Sequence, residues 1–307
     1  MKLNEVLGIK YPMIQGGMAN VSKSDLAAAV SNAGGLGLIA TGGFSPEEVR
    51  EEIRKARTLT DKPFGVNVVL THPNLEEVVQ VVLEEKPPFV ACGAGNPTPY
   101  FPRFKEAGIE VIPVIANIKM AKKVQDLGAI ACVFEGAEAG GHIGSLHTMA
   151  ELPAICDSVD IPVVSAGGIY TGRQILAAEI LGAEGVQVAS RFLVAEETPI
   201  HPAYKEYLIN AKDSDTVVTG NHSGHPVRVV KNELTDRMLE LERSCAPQEE
   251  FEKLGIGASR RAARDGDTAM GSVMAGEALA YLNKIEPVAT IVENLWKEYD
   301  EAKKKVK

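Results

Sequence analysis

The chain has 307 residues, of which 45% are hydrophobic and 24% charged, so it can bury a sizeable core and global disorder is excluded. Thirty-two basic and 41 acidic residues give a net charge of −9, which argues against a general nucleic-acid-binding protein. No run approaches about 18 apolar residues, and the N-terminus lacks the apolar region of a signal peptide. We therefore expect no membrane span and a cytoplasmic location. The four cysteines lack paired spacing, which predicts free thiols and no metal site.

Short apolar runs alternate with amphipathic segments along most of the chain. The runs are continuously hydrophobic, as is typical of parallel strands buried on both faces. They are predicted as eight strands: Met13–Gln15, Gly37–Ile39, Phe64–Val69, Phe89–Cys92, Glu110–Ile115, Ala131–Phe134, Val163–Ser165 and Gly185–Val188.

Helix signals lie between these strands. Ser22–Asn32 carries apolar side chains at helical spacing. Ser45 precedes a proline and two glutamates, a pattern typical of a capped helix start, and Asn74 and Thr171 begin similar segments. Eight successive β/α units predict an α/β fold, a (β/α)8 TIM barrel. An open doubly wound sheet is the alternative.

The pattern of glycines and strands ends after Arg191. Residues 1–204 are predicted to form the cofactor-binding barrel. Residues 205–267 are predicted as helices with loops that form a smaller, mainly helical lid domain. We expect residues 268–307 to return to the barrel and to end in a helix packed on it.

Small residues follow the last two predicted strands: Ala166, Gly167, Gly168, Ala189 and Ser190. Backbone N–H groups in such turns can point at an anion, and a helix beginning near Thr171 adds its positive dipole end. Barrels commonly bind phosphate at the loops after strands seven and eight. These turns therefore predict a phosphate site, although tight turns alone would also use glycine.

Other small residues suggest that the backbone approaches a flat ring. Gly16, Gly17 and Met18 follow the first strand and offer backbone donors and acceptors to one edge of such a ring. Asn67 or Gln187 could supply a side-chain amide. One phosphate and one flat ring in a barrel indicate FMN rather than a dinucleotide.

His142 follows Gly140 and Gly141 in the loop after the sixth strand, where it is expected to roof the site. A neutral imidazole there could give a proton to a substrate or take one from it, whereas the alternative is a histidine that only stabilises its loop. Glu135 could accept hydrogen bonds from the ribityl chain of FMN, or form a carboxylate pair with Glu138.

Two further histidines, His222 and His225, lie three residues apart in the predicted lid. This spacing would suit two metal ligands, but no third ligand is evident in the sequence. We therefore predict no metal site and expect these side chains to contact the substrate or the cofactor.

The chain resembles the flavin-dependent enoyl-acyl-carrier-protein reductase II, within the wider nitronate monooxygenase superfamily. The motifs shared across the superfamily are Tyr11–Met18, Glu138–Gly144, Ala166–Ile169 and Gly185–Val188. Segments similar to the reductase branch are His201–Lys205, Gly224–Asn232 and Gly271–Gly276. One departure is Ala189-Ser190, where family members often have Gly-Thr. The serine keeps the hydroxyl group, so we expect phosphate binding to survive.

The resemblance implies a reaction in which NADH or NADPH reduces FMN and an enoyl thioester then takes up hydride. His142 would hold the thioester carbonyl or relay a proton. The substrate would be carried by acyl carrier protein or be a small molecule, and the family also implies a homodimer and, in some members, a monovalent cation. The alternatives are a nitronate monooxygenase, a non-catalytic FMN-binding protein and a flavin-free isomerase.

An acidic carrier would need basic residues near the site entrance because the chain itself is acidic. The candidates in the sequence are Arg228, Lys231, Arg260, Arg261 and Arg264.

Overall fold

A computed structural model describes residues 1–306. Eight parallel strands form one sheet in the order β1-β9-β8-β6-β5-β4-β3-β2. Their bounds are β1 Met13–Gln15, β2 Gly37–Ala40, β3 Phe64–Val69, β4 Phe89–Gly93, β5 Glu110–Ile115, β6 Cys132–Glu135, β8 Val163–Ala166 and β9 Gly185–Val188. The sheet closes where Leu36 N–H donates to Met13 O and Gln15 N–H donates to Leu36 O, each at 2.8 Å. This arrangement confirms the TIM barrel and all eight predicted strands.

Helices follow most of the barrel strands. Their bounds are α2 Ser24–Asn32, α3 Pro46–Leu59, α4 Leu75–Glu85, α5 Phe101–Glu106, α6 Ile118–Asp126, α7 Thr148–Cys156 and α8 Gly172–Ile180. Ser45 and Thr171 each form a reciprocal capping box at the start of α3 and α8, as their sequence signals predict. The C-terminal helix α13, Val288–Lys305, packs against α8 and α2.

Apolar side chains fill the end of the barrel opposite the site. The short helix α1, Leu3–Leu7, covers the N-terminal ends of the strands, and Leu3 N–H donates to Glu184 O at 3.1 Å. Ile14, Leu38 and Val133 are at most 1% exposed inside the barrel. This packed interior leaves the C-terminal ends of the strands as the open face.

The region after β9 contains helices and a small second sheet. Its elements are α9 Pro202–Asn210, β10 Thr216–Thr219, β11 Val227–Val230, α10 Glu233–Arg243, α11 Gln248–Gly255 and α12 Ala258–Arg260. β10 pairs antiparallel with β11, which pairs with the two-residue strand β7, Gly141–His142. The prediction of helices with loops for residues 205–267 missed β10 and β11, because each has only four residues.

Several polar contacts join this region to the barrel, and two of them reach the loops after β1 and β2. Asn20 Nδ2 donates to Ser259 Oγ at 3.3 Å, and the Arg264 guanidinium donates to Gly43 O at 2.8 Å. The division at residues 204 and 267 stays a prediction, and "lid" below refers only to residues 205–267. Among residues 1–306, no helix is both long enough and apolar enough to cross a membrane.

Candidate active site

The C-terminal ends of the barrel strands surround a cavity of about 470 Å³. Eleven of the predicted site residues line it: Gly16, Gly17, Met18, Asn67, Glu135, Gly140, Gly141, His142, Gln187, Ala189 and Ser190. A Cβ on Gly17 would lie 2.4 Å from Asn67 Cβ, so only glycine lets the two loops approach this closely. We call this space the ring cavity.

A recess of about 40 Å³ adjoins the ring cavity at the ends of β8 and β9. Ala166, Gly167 and Gly168 line it, together with residues that also face the ring cavity: Glu135, Gly140, Gln187, Ala189 and Ser190. Gly167 and Gly168 have φ of +89° and +71°, where side chains are strained. The predicted phosphate site and the predicted ring site therefore lie side by side and share five wall residues.

Two residues in the recess were missed as candidates. The Tyr170 hydroxyl is buried and has no hydrogen-bond partner among the described residues, and burial raises its pKa to about 12. Gly276 lines the same recess, and its N–H donates to Ser190 Oγ at 2.9 Å. Tyr170 lies two residues after Gly168, and this closeness to the turn was the available sequence signal. A buried donor without a partner fits a recess that takes an anion.

The two acids of the catalytic loop occupy different environments. Glu135 lines both spaces, and burial raises the pKa of its carboxyl group to about 7. The Glu138 carboxylate accepts hydrogen bonds from Thr148 N–H at 3.0 Å and from Thr148 Oγ1 at 3.1 Å. Glu138 thus fixes the start of α7. The alternative of a Glu135–Glu138 carboxylate pair finds no support in these contacts.

His142 is held in the roof by the small sheet. Its strand β7 pairs with β11, where Val227 lies opposite His142 and Arg228 opposite Gly141. Ile143 N–H donates to Pro226 O at 3.1 Å, which continues this pairing. The position of the histidine therefore depends on the lid hairpin as well as on the barrel.

Arg228 clamps the base of the same loop. Its guanidinium donates to Ala137 O at 3.1 Å and forms an ion pair with Glu277 at 3.1 Å. Glu277 N–H in turn donates to Glu138 O at 2.9 Å. The side chain is almost completely buried, so the prediction that Arg228 meets an acidic carrier is wrong.

Two other basic candidates also have structural partners. The Arg261 guanidinium donates to the backbone carbonyls of Leu254, Ile256 and Met270, and Arg264 contacts the barrel as described above. Their hydrogen bonds stabilise the lid, and reversing the charge of Arg261 would test folding rather than carrier binding. Lys231 and Arg260 remain exposed.

Burial and the nearby His225 lower the pKa of His142 below its usual value. The ring is therefore neutral near pH 7, with one nitrogen that donates and one that accepts. His225 and His142 both line a second cavity within the lid, whereas the His222 ring packs edge-on against Phe251. Among residues 1–306, no three His, Cys, Asp or Glu side chains are grouped as for a metal ion.

A TIM barrel with a glycine-lined recess after its last two strands has the arrangement in which barrel enzymes commonly bind phosphate groups. The chain belongs to the nitronate monooxygenase family, whose sequence profile matches residues 1–79 and 74–298. It is therefore an oxidoreductase.

Individual relatives match between 77% and 99% of the chain. FabK from Thermotoga maritima is 43% identical and superposes with a TM-score of 0.96 over 99% of this chain and 97% of its own. A probable nitronate monooxygenase from Staphylococcus aureus is 32% identical over 96% of both chains. The (3aS,4S,5R,7aS)-5-hydroxy-7a-methyl-1-oxo-octahydro-1H-indene-4-carboxyl-CoA dehydrogenase from Rhodococcus jostii is 37% identical over 77% of this chain and 67% of its own.

Proposed function

We propose that the protein is an NAD(P)H-dependent reductase of trans-2-enoyl thioesters that uses bound FMN in fatty-acid synthesis. The observation that carries the proposal is the glycine-lined recess that adjoins the ring cavity and shares five wall residues with it, together with His142 in the roof of the ring cavity. The reductase-like motifs in the sequence and the identity to FabK support the thioester reading. The similarity to a named carboxyl-CoA dehydrogenase also supports a substrate of the thioester class.

The residues around the recess fit the phosphate of FMN. Gly167, Gly168, Ala189 and Ser190 would bind it through backbone N–H groups, and the unpartnered Tyr170 hydroxyl would donate to it. A monoester phosphate at the start of a helix is favoured by the helix dipole, and α8 begins close by. No positively charged side chain is required for this mode of binding.

The ring cavity suits the flavin ring, and Glu135 lies between the two parts of the space. Gly16, Gly17 and Met18 would line one edge of the ring, and Asn67 and Gln187 would offer side-chain amides. The Glu135 carboxyl group faces the stretch where the ribityl hydroxyls would run. Bound FMN supplies reversible hydride transfer between a nicotinamide and an enoyl group.

His142 would act on the thioester rather than on the cofactor. Its ring is exposed to the ring cavity while its backbone is fixed by β11. A neutral imidazole can donate its N–H to the thioester carbonyl oxygen and so orient the α,β double bond. The ring could also relay a solvent proton to the α-carbon, because one nitrogen can take up a proton as the other releases one and the ring ends neutral.

Nitronate oxidation is the second candidate function. The curated relatives named probable nitronate monooxygenase favour it, since one covers 96% of both chains. A neutral histidine beside a flavin could remove the acidic α-proton of a nitroalkane with the ring nitrogen that carries no hydrogen. The geometry of His142 is therefore compatible with either substrate. The similar proteins include both FabK and probable nitronate monooxygenases, so similarity alone does not select one of the two reactions.

Anaerobic stopped-flow measurements on the yellow protein separate the two. The proposal expects NADH or NADPH to reduce the flavin and crotonyl-CoA to reoxidise it, with one thioester reduced per flavin. Propyl nitronate should reduce the oxidised flavin far more slowly than NAD(P)H does. If propyl nitronate reduces the flavin, and oxygen added in a second mixing step reoxidises it whereas the enoyl thioester does not, the second candidate replaces the proposal.

We also propose a protein partner, a homodimeric assembly and a requirement for a monovalent cation. Acyl carrier protein could approach Lys231 and Arg260, the basic candidates that stay exposed. A homodimer and a monovalent cation follow only from the resemblance. Size-exclusion chromatography with light scattering and activity assays in potassium or choline salts test them.

A further inference from the structure

A second cavity lies inside the lid and is not used by the chemistry above. It measures about 510 Å³, within the range of ordinary ligand sites. β10, β11, α10 and α11 surround it, and the apolar side chains facing it are Val227, Met238, Phe251, Ile256, Ala258 and Met274. We call this space the lid cavity.

The lid cavity and the ring cavity share walls at the reacting centre. His142, Ser259 and Met274 line both of them. Ser259 is held by Asn20 of the barrel, and His142 is held by the β7–β11 pairing, so the shared wall is fixed from both sides. A group attached to a substrate at His142 can therefore extend into the lid cavity without crossing the barrel.

The apolar side of helix α11 faces the lid cavity and is only partly covered by other residues. None of its residues is fully buried, although Phe251 and Leu254 point their apolar surface toward α10. Ile256, directly after the helix, is 71% exposed at the edge of the cavity. Apolar surface in such an arrangement gains free energy when an apolar occupant covers it.

The charges around the lid cavity select an uncharged occupant. Glu252 lines it, and the nearby Glu242 carboxylate accepts a hydrogen bond from Gly220 N–H. Within the described part of the chain, no Lys or Arg side chain lines the cavity. The phosphates of NAD(P)H or of a pantetheine arm would meet repulsion there, whereas a hydrocarbon would not.

We propose that the lid cavity holds the hydrocarbon tail of the acyl chain, with the thioester carbonyl at His142. This assignment rests on the proposed function, because it extends the same substrate away from the reacting carbons. It makes the lid the element that determines chain-length preference. Longer chains should gain binding free energy by covering α11, whereas a four-carbon chain should end near the shared wall.

Gly255 is the position at which this assignment can be tested most sharply. It lines the lid cavity at the end of α11, where a Cβ would meet only Met238 Cε, at 3.7 Å. Gly255→Phe therefore fills the cavity without backbone strain. The matched control is Lys253→Phe, which adds the same ring to an exposed position of the same helix.

The first readout compares trans-2-dodecenoyl-CoA with crotonyl-CoA as substrates of the FMN-loaded enzyme. Each buried methylene contributes about 0.8 kcal/mol, or about fourfold. We expect the wild type to prefer the long chain in kcat/KM by at least about 30-fold, and Gly255→Phe to remove most of that preference. Lys253→Phe should retain it, and the KM for NAD(P)H should change in neither variant. An unchanged preference in Gly255→Phe overturns the proposal, and a raised KM for NAD(P)H reassigns the cavity to the nucleotide.

The second readout needs no turnover. Calorimetry with saturated dodecanoyl-CoA and butyryl-CoA should show tighter binding of the long chain to the wild type and to Lys253→Phe, but not to Gly255→Phe. If no enoyl thioester is reduced, the proposed function fails, and this binding difference still decides what the lid cavity holds. Should Gly255→Phe fail to fold, Phe251→Ala removes one wall of the cavity and should weaken binding of dodecanoyl-CoA but not of butyryl-CoA. Equal loss for both chain lengths would contradict the assignment.

Discussion

The two ends of the proposed flavin site are built by different means. At the phosphate end, two short turns directly after β8 and β9 present backbone N–H groups. At the roof, one side chain on a two-residue strand is positioned by a lid hairpin far along the chain. On this account, local backbone geometry at the phosphate end retains the cofactor. Long-range packing at the roof positions the side chain that acts on the substrate. Substitutions at the two ends should therefore have separable effects.

The largest effect is expected at the roof. His142→Ala should retain FMN but slow reoxidation by the enoyl thioester about 10²–10⁴-fold, the usual contribution of a positioned acid or base. Reduction by NAD(P)H should change little. The two half-reactions are measured separately by stopped-flow, with His147→Ala as the control, because His147 is exposed and lines neither cavity. An unchanged reoxidation rate would make His142 a structural residue of its loop.

A substitution at the phosphate end should instead weaken FMN binding. Ala189→Asp places a carboxylate beside the proposed phosphate, where like charges in a poorly solvated recess should weaken FMN binding by about 10²-fold or more. Ala189→Gly is the matched control and should keep the flavin. Absorbance after dialysis gives the FMN content of both variants. Full FMN content in Ala189→Asp would show that the phosphate lies elsewhere.

A smaller effect is expected at the clamp between the lid and the catalytic loop. Arg228→Met removes the donor to Ala137 O and the ion pair with Glu277, so the loop that carries His142 should become less well positioned. We expect about a tenfold loss in the rate of reoxidation, because small displacements of reacting groups are costly. Flavin content should be retained. Lys231→Met, a substitution at a nearby exposed position, is the control. Equal rates in the two variants would show that the Arg228 contacts do not position His142.

The smallest effect concerns the stability of the FMN-free protein. The Glu135 carboxyl has a pKa of about 7 in the folded protein against an ordinary 4.5. The folded state therefore binds more protons than the unfolded state between these values, and stability falls as pH rises through that window. Glu135→Gln should match the wild type near pH 4.5 and exceed its Tm by about 2–4 °C near pH 8. Calorimetric scans at both pH values test this, and a difference that is largest at low pH would contradict the assigned cause.

The same contrast explains what the sequence could predict. The eight barrel strands are continuous apolar runs followed by turn residues, so Gly167, Gly168, Ala189 and Ser190 could be placed together from the order of the strands alone. The Tyr170 hydroxyl was missed because its burial without a partner is visible only in three dimensions. The β7–β11 pairing was missed because two-residue and four-residue strands have no distinct hydrophobic period.

Charged residues show most clearly which features of the structure could not be predicted from the sequence. Arg228 and Arg261 resemble surface cations in the sequence, but their guanidinium groups donate to backbone carbonyls of loops that are distant or irregular. Nothing in the local pattern distinguishes such a buried clamp from a solvated helix face. The lid cavity likewise arises from four elements whose relative positions no short motif specifies.

The crystal structure of the yellow protein with bound FMN tests the central claim most directly. The account predicts phosphate oxygens within about 3 Å of backbone N–H groups in the turns that follow β8 and β9. It also predicts that the Tyr170 hydroxyl donates to the phosphate and that the flavin ring fills the ring cavity beneath His142. A phosphate outside the recess, or a ring separated from His142 by protein, would contradict the account.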